Sequence, residues 1–167
     1  LGMSGHDELL GGKGDDNLQG GEGADTLDGG DGAHILNGGA GFDTVTYATS
    51  ARAVTVDLTL TERGTSDALN DGAGGVLIGI ESIIGSAGDD VFYASVDAVA
   101  IQGGGGIDTV DYSRANRAVG VADAGITLNL GSTALNTGWS VGDTFNSMER
   151  FVGTQGRDTL YGDRSLT

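Results

Sequence analysis

A nine-residue period governs this chain. From Gly11 the segments GGKGDDNLQ, GGEGADTLD, GGDGAHILN and GGAGFDTVT follow one another without a gap, and GMSGHDELL from Gly2 fits the same frame less closely. Each reads G-G-x-G-x-D-x-U-x, where U is a large aliphatic residue. The frame returns at GSAGDDVFY from Gly85, GGGGIDTVD from Gly103 and GTQGRDTLY from Gly153, with a degenerate copy, ASVDAVAIQ, between the first two of these. A chain that repeats so short a unit stacks copies of one local structure, each supported by its neighbours.

The residue types say what that unit is. Glycines at positions one, two and four admit backbone angles closed to other residues, so the first six residues form a tight turn with inward carbonyls. The last three form a short strand. Its middle residue, one of Leu9, Leu18, Leu27, Leu36, Val45, Phe92, Ile101, Val110 and Leu160, has polar neighbours and points into a core by the period-two rule. Two nonapeptides then make one coil, and stacked coils make two parallel sheets in an all-β fold. One aliphatic side chain per nine residues buries little apolar surface for the chain entropy lost. The aspartate at position six supplies a further source of stability, because carboxylate and carbonyl oxygens from stacked turns form an oxygen-only cage suited to a hard divalent cation.

Composition agrees with this assignment. The 167 residues include 33 glycines and no proline, and 24 acidic against 8 basic residues leave a net charge of −16. Such a surface excludes nucleic acid and anionic membrane as partners and favours cations. Without cysteine no disulfide can cross-link the coils, and metal ions are the natural substitute. No apolar run is long enough for a membrane span, and no cleaved leader is visible. The pattern is already under way at Leu1, which suggests a piece of a longer protein.

The repeats closely resemble the RTX, or haemolysin-type, calcium-binding nonapeptide over residues 2–46, 85–111 and 153–161. The resemblance implies a right-handed parallel β-roll with calcium held between a turn and the turn two repeats later. It also implies a protein secreted by a Gram-negative bacterium through type I export. The ligands carried over are the carboxylates of Asp7, Asp16, Asp25, Asp43, Asp90, Asp108 and Asp158, with backbone carbonyls of Gly5, Gly20, Gly21, Gly23, Gly38, Gly88 and Gly103. His34 and Val99 stand where aspartate is expected, so their turns should bind weakly or not at all.

Between the repeats a larger unit is duplicated. DTVTYATSARAV from Asp43 matches DTVDYSRANRAV from Asp108, VTVDL at Val54 resembles ITLNL at Ile126, and GIESIIGSAGDDVFY from Gly79 parallels SMERFVGTQGRDTLY from Ser147. The expected organisation is one continuous solenoid: an uninterrupted roll over 1–46, an insertion and second roll stretch over 47–111, and a second insertion with terminal turns over 112–167. Alternation from Val54 through Leu60 predicts a strand, and the stretch from Glu62 a polar loop. Read backwards from Gly85 and Gly153, the frame puts Glu81 and Glu149 at position six, two repeats after Asp43 and Asp108. There each glutamate either faces solvent or shares a calcium with the preceding turn. Extended past Tyr47 and Tyr112, the same frame puts Arg52 and Arg117 at position six.

Catalysis finds no support in the residues. The only histidines, His6 and His34, lie inside repeat turns, and neither a zinc-protease helix nor a nucleophile elbow is present. His34 reads as a substituted turn aspartate before it reads as a transition-metal ligand, and Trp139 as a loop anchor before a sugar platform. Asp67 and Asp71 are candidates for a loop calcium site. The expected function is a non-enzymatic calcium-binding structural module that folds on calcium after secretion. The alternative is a calcium-dependent adhesin or polysaccharide-binding accessory module, with cell-surface or polysaccharide ligands.

Overall fold

The computed structural model describes residues 1–59, 65–67, 75–95, 97–115, 125–130 and 133–162. In the first roll, β1 (Glu8–Lys13), β3 (Thr26–Asp31) and β5 (Thr44–Thr46) stack in one sheet, and β2 (Asn17–Glu22) and β4 (Ile35–Ala40) in the other. All pairs are parallel, with Leu9 opposite Leu27, Leu27 opposite Val45, and Leu18 opposite Leu36. Strands β1 to β4 are six residues long, against the three expected. The ladder runs on through the glycines, pairing Gly12 with Gly30 and Gly21 with Gly39. Positive φ falls at positions two and four, as at Gly21 (122°) and Gly23 (130°). The position-one glycine is required for space instead. A Cβ on Gly11 would lie 2.5 Å from the Gly29 carbonyl and 2.6 Å from Asp16 Oδ2.

Among the described residues the first insertion enters only one of the two sheets. Strand β5 pairs directly with β9 (Ser82–Ile84), setting Val45 against Ile83. On the opposite side β8 (Gly75–Ile78) joins β4, β7 (Thr65–Asp67) runs antiparallel to β8, and β6 (Thr55–Asp57) lies antiparallel to β7 and parallel to β10 (Val91–Tyr93). Three strands thus stand where a normal coil supplies one. The roll continues with β11 (Ala100–Gln102), β12 (Thr109–Asp111), β14 (Thr144–Asn146) and β15 (Arg150–Val152), giving a six-stranded sheet facing an eight-stranded one. With strands about 4.8 Å apart, β8 and β10 are held about 14 Å apart by the two strands between them, while β9 and β11 both pair with their neighbours in direct succession. The turns leading from β8 and β10 therefore diverge, and between them opens a cleft lined by Leu58, Leu77, Ile80, Ala98 and Val99.

The second insertion keeps part of this plan. Strand β13 (Thr127–Asn129) pairs with β16 (Thr159–Tyr161), Leu128 against Leu160, as β6 pairs with β10, Val56 against Phe92. After β13 come two short 3₁₀ turns, Thr133–Leu135 and Gly138–Ser140. The Ser140 hydroxyl donates to the Thr127 carbonyl, and Trp139 packs against the core as a loop anchor.

Most of the expected core is buried, joined by Tyr47, Val54, Val56, Tyr112, Ile126 and Leu128. Two residues depart. Leu18 is only partly buried and Leu160 is half exposed; among the described residues β2 and β16 are the end strands of their sheets. The strand expected through Leu60 ends at Asp57; Leu60, Asp71, Arg117 and the Asp67 side chain lie outside the described residues.

Candidate metal centres

Position-six carboxylates line the two edges of the roll, one coil apart. On the edge leading into the six-stranded sheet, the Asp7 amide donates to Asp25 Oδ1 at 2.8 Å, the Asp25 amide to Asp43 Oδ1 at 2.8 Å, and the Asp43 amide to Glu81 Oε2 at 3.0 Å. On the other edge the Val54 amide donates to Asp90 Oδ1 at 2.7 Å, the Asp90 amide to Asp108 Oδ1 at 2.9 Å, and the Asp108 amide to Glu149 Oε2 at 2.8 Å. The Ile126 amide likewise reaches Asp158 Oδ1 at 2.9 Å. Each insertion therefore ends on a glutamate that extends an aspartate column, so Asp25, Asp43 and Glu81 form one run of acids and Asp90, Asp108 and Glu149 another.

One oxygen of Asp25, Asp43, Glu81, Asp90, Asp108, Glu149 and Asp158 is accounted for in this way, and the second oxygen divides the turns into two kinds. Oδ2 of Asp16, Asp25, Asp43 and Asp108 is buried without a hydrogen-bond partner. An unpaired buried carboxylate oxygen is costly unless something positive reaches it. Burial pushes the Asp43 carboxyl above the usual carboxylate range, and the nearby charges of Asp25 and Glu81 add to the shift. Asp108 is raised by burial in the same way, with Asp90, Glu149 and Asp89 adding to it.

The space around these oxygens is an oxygen-lined cradle. Cβ atoms placed on Gly20, Gly38 and Gly103 would collide with Oδ2 of Asp25, Asp43 and Asp108 and with the carbonyls of Gly38, Gly79 and Ser147 from the next turn along the same edge. The carbonyls of Gly5, Gly21, Gly23 and Gly88 point at glycine α-carbons one coil further on, at Gly23, Gly39, Gly41 and Gly106. Among the described residues no group of three His, Asp or Glu side chains forms a metal cluster. The donor set is instead a pair of carboxylates with main-chain carbonyls. Hard oxygen donors in a flexible arrangement of this kind suit calcium.

In other turns the chain supplies its own donors. Asp7 Oδ2 accepts from the Met3 amide at 3.1 Å, and Asp90 Oδ2 from the Ser86 amide at 2.6 Å. The hydroxyls of Ser86 and Thr154 donate to Asp90 Oδ1 at 2.7 Å and to Asp158 Oδ1 at 2.8 Å. His34 mimics the aspartate it replaces, accepting the Asp16 amide at Nδ1 at 3.1 Å. A carboxylate oxygen has lone pairs for both an amide and a cation, but Nδ1 has one, already used. His6 occupies position five, where Nδ1 meets the Ala24 amide at 3.3 Å, and takes no part in the column.

Two residues differ from the sequence expectation. Arg52 is exposed and does not hold position six; Val54 does, because the turn after Tyr47 is two residues longer than the frame allows. Asp143 was not expected and stands in the column above Val99, whose amide donates to Asp143 Oδ1 at 2.9 Å. Its other oxygen accepts the Tyr112 hydroxyl. Burial pushes Asp143 up to about 6 and raises the Tyr112 hydroxyl as well. The signal for Asp143 is Asp-Thr-Phe-Asn at 143–146, which has the D-x-U-x ending of the repeat and Gly138 at position one, but Trp139 and Val141 in place of the glycines at positions two and four.

Stacked parallel coils with carboxylate and carbonyl cradles at their turns define a calcium-binding parallel β-roll. A family model for the RTX calcium-binding nonapeptide repeat matches four times, over residues 1–33, 10–45, 77–110 and 143–165, which together span more than half of the chain. The chain belongs to that family, whose repeats bind calcium. A comparison with curated proteins gives no match.

Proposed function

We propose that this chain is a structural module of a larger extracellular or cell-surface protein of a Gram-negative bacterium, with no catalysis of its own, and that it folds when it meets calcium after export. The buried, unpartnered oxygens of Asp25, Asp43 and Asp108 carry this reading. Without a cation they and the net charge of −16 oppose the stacking of coils. With calcium the same oxygens become ligands, together with Glu81 and Glu149 at the ends of the two acid runs. Residues 1–46, 47–111 and 112–167 are taken as one folding domain, since the ladder runs past both insertions to β14 and β15, while β13 and β16 pair in a sheet of their own.

Circular dichroism during a calcium titration tests the proposal. The expected result is a transition from coil to β-structure, steeper than one-site binding because each coil templates the next. Magnesium, which dehydrates reluctantly and demands near-octahedral geometry, should fail to substitute. A β-spectrum of full intensity in chelator would refute the reading.

A further inference from the structure

We propose that Tyr112 and Asp143 form a cation-free clasp, in which a phenol hydroxyl takes the carboxylate oxygen that calcium takes at Asp25 and Asp43, so that the second insertion stays closed without calcium. This rests on the assignment of the unpartnered oxygens to calcium made above. Asp143 occupies the same place in the ladder as Asp43. Its Oδ1 receives the Val99 amide at 2.9 Å, as Asp43 Oδ1 receives the Asp25 amide at 2.8 Å. The two differ at Oδ2, which is unpartnered in Asp43 and bonded to Tyr112 in Asp143. Both members of the clasp are fully buried, and the turn before it carries Val99, so a cation there would find one carboxylate where it finds two between Asp25 and Asp43.

The placement gives the pair its effect. Tyr112 follows β12, where the second insertion begins, and Asp143 precedes β14, where the chain re-enters the six-stranded sheet. One side-chain hydrogen bond thus joins the two ends of the insertion. A second contact supplies a positive charge from the chain itself: Arg114 Nη1 donates to Asp57 Oδ2 at 2.8 Å, with its guanidinium 3.4 Å from the centre of the Tyr93 ring. The first insertion has no carboxylate in the place of Asp143. Tyr47 matches Tyr112, but the residue in the place of Asp143 is Gly75, since the Val76 amide bonds to the His34 carbonyl as the Thr144 amide bonds to that of Val99.

Hydrogen exchange followed by mass spectrometry, on the full chain in EGTA and in saturating calcium, tests the clasp. In EGTA the Val99 and Thr144 amides should exchange at least about tenfold more slowly than those of Asp25 and Thr44. Tyr112→Phe should abolish that difference, and calcium should protect Asp25 and Thr44 in the variant without restoring Val99. Asp143→Asn, which keeps an acceptor for Val99 and a partner for the phenol, should retain the protection. Equal exchange of the two pairs in wild-type protein in EGTA would overturn the clasp, and so would a Tyr112→Phe chain with unchanged protection at Val99. Failure of the calcium assignment looks different: Asp25 and Thr44 would be equally protected in EGTA and in calcium.

Discussion

The first roll and the second insertion solve one problem in two ways. In both, a turn carboxylate uses one oxygen to hold the amide of the turn below and must find a partner for the other. At Asp25 and Asp43 the second oxygen has no partner in the chain; at Asp143 it has Tyr112. The backbone arrangement is common to both, and the surroundings of the second oxygen are what differ. On the proposed reading the turns differ in how much of the second oxygen's hydrogen-bonding capacity the chain itself fills, most at Asp143 with a buried phenol and less at Asp90 with Ser86.

The comparison can be broken most forcefully at Asp43, which serves the turns of both Asp25 and Glu81. Asp43→Ala should raise the calcium concentration at the folding midpoint by about tenfold or more, read by circular dichroism, because it removes donors from two adjacent cradles. Asp16→Ala should shift the midpoint much less, since its partner turn carries His34. Equal shifts would remove the distinction between the two edges.

Gly20→Ala comes next. The added methyl collides with Asp25 Oδ2 and lies 2.5 Å from the Gly38 carbonyl, so the stack must open at a calcium cradle. A loss of about 1 to 3 kcal/mol is expected in calcium, measured by denaturant unfolding. Gly162→Ala, with nothing within 4 Å of the added carbon, is the control.

Acidity sharpens the contrast from the other side. Burial raises Asp143 from 3.8 to about 6 in the folded protein, so the folded form holds this proton more tightly than the unfolded chain. Its contribution is fully present below about pH 3.8, is lost as the pH rises through about 6, and is constant above that. In saturating calcium, thermal stability of the wild type should therefore decline across this interval more than that of Asp143→Asn. Parallel pH profiles would contradict the burial-driven shift. The smallest effect is expected for Arg114→Ala, at about 1 kcal/mol or less, because the guanidinium is partly exposed.

Where the nine-residue frame is intact, the sequence predicts the structure to single residues. The pairing of Leu27 with Val45 follows from it, and so do the positions of Glu81 and Glu149, which come from reading the frame backwards out of each insertion. Legibility fails where spacing is set by tertiary structure. Arg52 was displaced because two further residues fit into the turn before β6, a length that only its pairing with β10 fixes. The antiparallel strand β7 carries no alternation of apolar residues, since Thr-Ser-Asp at 65–67 is held by its neighbours on both sides. Asp143 is hidden in the sequence because Trp139 and Val141 replace the glycines at positions two and four of its turn, and Tyr112, its partner 31 residues away, meets it only across the folded insertion.

The central claim is that the unpartnered oxygens are calcium ligands, and a crystal structure of the calcium-loaded protein with anomalous scattering tests it most directly. The account predicts calcium about 2.3 to 2.6 Å from Oδ2 of Asp25, Asp43 and Asp108, and none at Asp143, whose oxygen remains with Tyr112. Those three oxygens lying beyond about 3 Å from any ion, or an ion displacing the tyrosine from Asp143, would contradict it.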